Sequence, residues 1–245
     1  RSTLFPYTTL FRSSYIQVIW LNSDGKWKIG GNYNTYWLRN QSGTLDIYAY
    51  APYKASAPNI VDGVLSYEAQ HYDRTGYTDW LSGSNVDLLY ASRTGYARNS
   101  SESAVLMFRH ALAKTTFGTI TNNTGGTLSL NGFTISGTLY DSAELNLETG
   151  VWSNHVANVI GKISTPPPFD SSVFPPLSDK ETIIPPLPNR ELLFIPGPDG
   201  TLPLTVEVNS SIANEKFSFD ITLEQGKNKT CNITVSKNFE VVIQE

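Results

Sequence analysis

The side chains in this chain that could act as general bases or metal ligands are few, and His71, His110 and His155 are its only imidazoles. None of them has a partner at a metal-ligand spacing such as His-x-x-x-His. His110 stands between Phe108 and Ala111, a setting typical of a packed or capping histidine. The histidines therefore predict neither a catalytic base nor a metal site.

Carboxylates come closest to a cluster at Asp141, Glu144 and Glu148. We interpret them as the solvated edge of a strand, and a calcium site without an Asp-x-Asp-x-Asp-Gly loop stays open as the alternative. The chain also lacks a Gly-x-Ser-x-Gly nucleophile elbow and a glycine-rich phosphate loop. We predict a protein that is not an enzyme and that uses no cofactor and no metal. A glycosidase whose two carboxylates meet only in space stays open as an alternative.

Aromatic side chains offer a third kind of chemistry, the stacking of sugar rings. The tryptophans are Trp20, Trp27, Trp37, Trp80 and Trp152, and the chain has thirteen tyrosines. The spread of the tryptophans favours anchors of a β core, because aromatic side chains supply much of the area that a core buries. A sugar-binding platform is the alternative.

Composition excludes several classes of protein. The net charge is −4, and no cluster of Lys and Arg of the kind that binds a phosphate backbone occurs, so we expect no nucleic-acid partner. No apolar segment approaches the roughly 18 residues of a membrane-spanning helix. Cys231 is the only cysteine, which excludes an intrachain disulfide and a thiolate metal site.

The elements that would position any site are short strands in which apolar and polar residues alternate. In Leu45–Tyr50 the aliphatic residues occupy every second position, and Pro52 ends the pattern because it has no N–H for a sheet ladder. Similar segments recur to the C-terminus between polar turns. With 40% hydrophobic and 12% aromatic residues, the pattern predicts an all-β fold.

Residues 1–13 differ from the rest of the chain. Arg1–Phe5 returns in part at Thr8–Ser13, a near-duplication that resembles translated sequencing-adapter sequence. We predict that residues 1–13 are a non-native or disordered leader. The alternative is a genuine N-terminal strand that contains Leu4, Phe5, Leu10 and Phe11.

A polar break at Arg98–Ser103 predicts the boundary between two domains, residues 14–102 and residues 103–245. Just after it, Ala104–Lys114 predicts a strand with a bend near His110, although its residues would also suit a helix. Further on, Asn131-Gly132 predicts the turn of a hairpin.

Eight prolines fall between Pro166 and Pro188. Proline lacks a backbone donor and breaks helices and central strands, so we predict an extended surface loop over residues 165–189. An ordinary linker and a loop that contacts a partner both stay open.

Several segments occur in an order that is informative when they are taken together. They are Tyr36-Trp37, Thr44–Tyr53, Ser84–Ala91, Leu106–Lys114 and Gly226–Val235. The ordered set resembles the fimbrillin-like proteins of Bacteroides-type Gram-negative bacteria, over nearly all of residues 14–245.

The resemblance implies two tandem transthyretin-like β-sandwich domains, exported as a lipoprotein precursor to the cell surface, the fimbrium or the outer membrane. It also implies other fimbrial subunits, of the same or another kind, as partners, together with host or bacterial surface ligands or glycans. In family members that polymerise, an N-terminal strand is removed at an arginine and a neighbour's strand fills the groove, which satisfies the open backbone groups. No processing arginine can be assigned here, because Arg12 lies in the suspected leader.

Carried onto this chain, Phe239, Val241 and Ile243 are the candidate donor-type strand, because they are spaced two apart and would present one apolar face. An ordinary last strand of the second sandwich is the alternative. We expect a structural subunit of a fimbria or pilus, or a fimbria-associated adhesin, that assembles by strand exchange. A surface glycan-binding protein that uses exposed aromatic residues is the second hypothesis.

Overall fold

The computed structural model describes residues 2–7, 16–21, 26–29, 44–51, 60–69, 87–97, 104–158, 162–164, 176–184, 191–210, 216–237 and 241–244. Over these residues the chain is all-β, with no helix. The same residues accordingly contain no helix that is long and apolar enough to cross a membrane.

The described residues form nineteen strands, numbered in chain order, of which ten make up a first run and nine a second. The first run is β1 (Ser2–Tyr7), β2 (Ile16–Leu21), β3 (Lys26–Ile29), β4 (Thr44–Ala51), β5 (Ile60–Val61), β6 (Val64–Glu68), β7 (Leu89–Ala97), β8 (Arg109–His110), β9 (Ala113–Asn123) and β10 (Leu130–Gly137). The second run is β11 (Tyr140–Asn146), β12 (Trp152–Ala157), β13 (Lys162–Ser164), β14 (Thr182–Ile183), β15 (Glu191–Phe194), β16 (Thr201–Ser210), β17 (Lys216–Glu224), β18 (Asn228–Ser236) and β19 (Val241–Gln244).

These strands form four sheets. The strand orders are β3-β2-β1-β4-β7-β8, β12-β11-β6-β5, β13-β10-β16-β17 and β14-β9-β18-β19, and β15 also pairs with β9. Most of the pairs are antiparallel, as in β16 and β17, whereas β9 and β18 run parallel. The strand orders also show that neighbours in a sheet, such as β10 and β16, are often far apart in sequence.

The chain divides into two compact units. One comprises residues 1–67, 87–111 and 144–154, and the other comprises residues 68–86, 112–143 and 155–245. Neither unit is a single stretch of sequence, because the chain leaves each unit and returns to it. The predicted tandem of transthyretin-like sandwiches, residues 14–102 and 103–245, stays a prediction.

Part of the suspected leader is a strand. Ser2–Tyr7 forms β1, which pairs with β2 on one side and with β4 on the other. β1 contains Leu4 and Phe5 of the alternative hypothesis, whereas Leu10 and Phe11 lie outside the described residues. Whether residues 1–13 are native to the chain stays a prediction.

The second unit has one core, to which two sheets contribute. Every second residue of β16 is buried, namely Leu202, Leu204, Val206 and Val208, and so are Cys231, Ile233 and Val235 of β18. Side chains alternate across a strand, so both rows point inward. Burying an aliphatic side chain of this size stabilises a fold by roughly 1.5–3 kcal/mol. Cys231 is a fully buried member of this row.

The hairpin predicted at Asn131-Gly132 is wrong. Both residues lie inside β10, and the pairing of β10 with β16 shifts between Leu130 and Gly132, where two residues of β10 oppose one of β16. The dipeptide therefore forms a β-bulge and not a turn. A strand neighbour distant in sequence outweighs the local turn preference here.

The segment predicted as a strand with a bend near His110 is strand only in part. Residues 104–108 have no regular structure, β8 follows, and β9 begins at Ala113 after an interruption at Ala111 and Leu112. Its helix-forming residues do not make a helix, and its end pairs with distant strands, β8 with β7 and the start of β9 with β15 and β18.

The later part of the proline-rich loop is docked on β9. Leu177 is 1% exposed and exchanges backbone hydrogen bonds with Leu128, while β14 pairs with Ile120 and Thr121. Asn122 holds this region together. Its Nδ2 donates to the carbonyls of Gly126 (2.7 Å) and Leu177 (2.9 Å).

Asn122 is fully buried, so water cannot take the place of its hydrogen-bond partners. Its Oδ1 accepts from the N–H of Thr124 at 2.9 Å and from the hydroxyl of Thr124 at 2.8 Å. The side-chain nitrogen and oxygen of Asn122 together join the end of β9, the following turn and the docked loop.

We predict that N122A lowers the free energy of unfolding by about 2–4 kcal/mol, because it leaves buried donors and acceptors without partners. The same variant should be cleaved faster by trypsin after the exposed Lys180. Urea unfolding and limited proteolysis measure the two effects. The neighbouring exposed Asn123 gives the control, since N123A should change stability by less than about 0.5 kcal/mol. Equal effects of N122A and N123A would contradict the assignment.

Candidate functional site

The last strand of the chain, β19, lies at the edge of its sheet and pairs antiparallel with β18. In this register Val241 is opposite Val235, and Ile243 is opposite Ile233. Directly opposed residues share a face of a sheet, so positions 241 and 243 lie on the face that carries the buried core row. Phe239, the third residue of the candidate donor-type strand, lies outside the described residues.

β18 is the strand that receives β19, and its other side is fixed by the parallel pairing with β9. The register of this pair shifts between Cys231 and Ile233, so that Gly118 and Thr119 together oppose Asn232. Asn232 Oδ1 accepts the N–H of Thr119 (3.0 Å) and its hydroxyl (3.2 Å). One amide oxygen thus satisfies the donors that the bulge takes out of the ladder.

Gly118 is required where it stands. A Cβ added at this residue would lie 2.2 Å from Asn232 Oδ1, closer than any real contact. Glycine inside a strand pattern commonly marks a bulge or a close approach, and this was the one signal for the bulge that the sequence carried. Sequence reasoning missed both Asn232 and Asn122, because asparagine is ordinary in polar strands and turns.

β1 is a second strand that could be exchanged, because it lies between β2 and β4 of its own sheet. Leu4 is opposite Ile16 of β2 and Ala49 of β4, so the strand completes two ladders at once. Ala49 is fully buried, and Ile47 and Tyr50 of β4 are nearly so. Without β1, β4 would lose its partner over Asp46–Tyr50 and β2 would lose its partner over Ile16–Val18.

The predicted chemical candidates are dispersed. His110 Nδ1 contacts Asp87 Oδ2, which ties β8 to the residues before β7, and His155 Nε2 lies 2.9 Å from the carbonyl of Pro196. His71 lies outside the described residues. His110 thus joins two elements of the first unit through Asp87, and His155 is held by a backbone carbonyl of the second unit.

The three clustered carboxylates also separate. Asp141 accepts a hydrogen bond from Asn158 (2.7 Å), Glu144 accepts one from Asn154 (2.6 Å), and Glu148 lies in an exposed turn. In the part of the chain that the structure describes, no three His, Cys, Asp or Glu side chains converge as metal ligands would.

Trp152 is a core anchor of the first unit. It is 2% exposed, donates its Nε1–H to the carbonyl of Ala111 (3.0 Å) and packs edge-on against Tyr67, with ring centroids 5.9 Å apart. Its ring is therefore not available for stacking a sugar. The side chains of the other tryptophans lie outside the described residues.

The hydroxyl of Tyr67 has a raised pKa. Burial, and secondarily the negative charge of Asp87, raise the pKa of Tyr67 from 10.0 to about 12. Between these values the unfolded chain releases the phenolic proton while the folded chain keeps it. The contribution of Tyr67 to stability is therefore present below pH 10 and is lost as the pH rises towards 12.

We predict that the wild type loses about 2 kcal/mol of stability relative to Y67F between pH 9 and pH 11.5. Chemical unfolding of both proteins at the two pH values measures this difference. The control is L145V, a buried substitution without a titratable group, whose effect should be the same at both values. A pH-independent difference between wild type and Y67F would refute the assignment.

Comparison with known proteins adds to this geometry. A family model described as fimbrillin-like matches residues 8–245. A search of curated proteins with the sequence gives no significant match.

Solved structures with a similar fold come from Bacteroides species. A candidate cell adhesion protein of Bacteroides ovatus has 16% identity and a TM-score of 0.51, over 90% of this chain and 73% of that one. A candidate cell adhesion protein of Bacteroides uniformis has 14% identity and a TM-score of 0.52, over 99% and 90%. A candidate adhesin of Bacteroides thetaiotaomicron has 10% identity and a TM-score of 0.53, over 99% and 87%. At these identities the likeness shows the fold.

Proposed function

Because this chain belongs to the fimbrillin-like family, we propose that it is a structural subunit of a cell-surface fimbria or pilus, or a fimbria-associated adhesin, that assembles by strand exchange. It acts at the surface of a Gram-negative bacterium, in the fimbrium or at the outer membrane, and reaches it as a lipoprotein precursor. Its partners are other fimbrial subunits, of the same or another kind, and surface ligands. It carries out no catalysis. The adhesion proteins among its structural neighbours support this role.

The observation that carries the proposal is the position of β19. It is the last strand, it lies at an edge, and one ladder with β18 holds it in its sheet. An identical strand from a neighbouring subunit would form the same ladder in the same register. Exchange therefore replaces each hydrogen bond with an equivalent one, and its cost is mainly the opening of one edge strand.

The position of β1 is a second place at which strand exchange could act, with a different acceptor. It stands between β2 and β4. A chain without this strand would present two open edges facing each other across the width of one strand. An incoming donor would satisfy both, which makes this position a stronger acceptor than a single edge.

We predict that V241D/I243D lowers self-assembly by roughly tenfold or more, because carboxylates at these positions would keep β19 from docking against the core row of a neighbour as well as of its own chain, at a cost of several kcal/mol. The matched control is V242D/Q244D, which changes the same strand at the alternate positions and should assemble. Light scattering and electron microscopy of intact chains, after circular dichroism confirms folding, provide the measurement. Equal assembly of the two variants would show that the donor assignment is wrong.

A peptide with the sequence of residues 237–245 tests the same assignment without altering the fold. Added to wild-type chains during assembly, it should compete with the donor strand and shorten or prevent oligomers. The peptide with Asp at positions 241 and 243 should not compete. If both peptides are inert while assembly proceeds, β19 is an ordinary last strand.

A further inference from the structure

An open sheet ends in strands whose backbone N–H and C=O groups lack a neighbour on one side, and most sheet ends of this chain are short. β5, β8 and β14 have two residues each, β13 has three, and β3, β15 and β19 have four. β12 has six residues, but Asn154 within it has a φ of 49°, which interrupts the extended backbone. Short or kinked edges discourage pairing with another chain.

β17 departs from this rule. It has nine residues at the end of its sheet, and no strand of the described residues pairs with its outer side. Its register with β16 is continuous from Thr201–Glu224 to Asn209–Lys216, with no bulge. Residues 216–224 contain no proline, no glycine and no residue with positive φ. β17 therefore presents a long, regular edge that can template another strand.

The two faces of β17 differ in a way that fixes how another strand could join. Ile221 and Leu223 are 4% and 0% exposed and belong to the core of the second unit. The alternate residues Ser218, Asp220, Thr222 and Glu224 are exposed. A strand added at this edge must keep apolar residues on the inner face and polar residues on the outer face.

The exposed residues of β17 can pair favourably with the same residues of a second β17 strand. In an antiparallel pair of two β17 strands about a two-fold axis at Ile221, Ser218 is opposite Glu224 of the second copy, and Asp220 is opposite Thr222 of the second copy. Each hydroxyl then faces a carboxylate, to which it can donate. Asp220 already accepts the Thr205 hydroxyl at 2.6 Å on the β16 side, and a carboxylate can accept several hydrogen bonds.

Neighbouring registers are less favourable. An axis at Asp220 would place this carboxylate opposite its own copy. An axis at Thr222 would place Asp220 opposite Glu224 twice. Like charges directly opposite each other are destabilising in a sheet. Among these three registers, only the one about Ile221 avoids placing carboxylates opposite each other.

We propose that β17 is a lateral docking edge for a second copy of this chain, paired antiparallel about a two-fold axis at Ile221. The two four-stranded sheets of the copies become one continuous sheet. This contact lies in a different sheet from β19, and no strand has to leave its own fold. It is thus a side-by-side association, separate from strand exchange.

Cysteine cross-linking in the full chain tests this register. Directly opposed residues have Cβ atoms about 4.5–5.5 Å apart, close enough for a disulfide after a small adjustment. A mixture of S218C and E224C chains should give a covalent dimer under mild oxidation, and neither variant alone should. The matched control is a mixture of T222C and E224C, exposed positions of the same row that are not opposed. The native Cys231 is fully buried and takes no part.

A second measurement uses the association of unlinked chains. T222D places a carboxylate opposite Asp220 at both ends of the pair and should weaken dimerisation roughly tenfold. T222N, neutral and similar in size, should dimerise as the wild type does. Sedimentation velocity with circular dichroism as a folding check reads out both. The proposal is overturned if the S218C and E224C mixture links no more than its control, or if T222D dimerises like T222N.

Discussion

The backbone hydrogen bonds at the ends of sheets constrain this molecule more than any side chain does. A folded strand must pair its N–H and C=O groups with another strand, with water or with a second chain, and an open sheet always leaves some of them outside the ladder. β1 closes one such position from both sides, and β19 closes another from one side. The groups that hold these strands in place are therefore distributed along the backbone.

Two buried or half-buried amides fix the places at which the ladders are irregular. Asn232 satisfies the bulge between β9 and β18, and Asn122 joins the end of β9 to the docked part of the proline-rich loop. Both act on β9, the strand that contacts most of its sheet. A polar group that is fully hydrogen-bonded inside an apolar core costs little and allows one register only. In this all-β unit the amides thus fix the register of the strands, while aliphatic burial supplies most of the stability.

The alternation of apolar and polar residues in the sequence predicted where strands lie, but the sequence predicted little else about the fold. Cys231–Val235 is a strand with one buried face, as its alternation indicates. Leu45–Tyr50 is also a strand, but residues 47–50 are all buried, so the polar edge of its tyrosines did not predict an exposed face. Asn131-Gly132 has a strong local turn preference, yet it lies in a strand because β16 pairs with it from a distant part of the chain. The buried Leu177 follows a run of prolines that indicated only an exposed loop. Register, docking and bulges depend on partners remote in sequence, and local preference does not encode them.

The parallel pairing of β9 with β18 has a consequence for how the molecule comes to its native state. Thr115 of β9 bonds to Lys229 of β18 across 114 positions of sequence. The ends of a very long loop must meet before this central pair can form, which is entropically costly and slow. During synthesis from the N-terminus, β9 emerges more than a hundred residues before its partner β18. The apolar row of β9 therefore stays uncovered on that side until β18 has been made, a situation that favours aggregation of the incomplete chain.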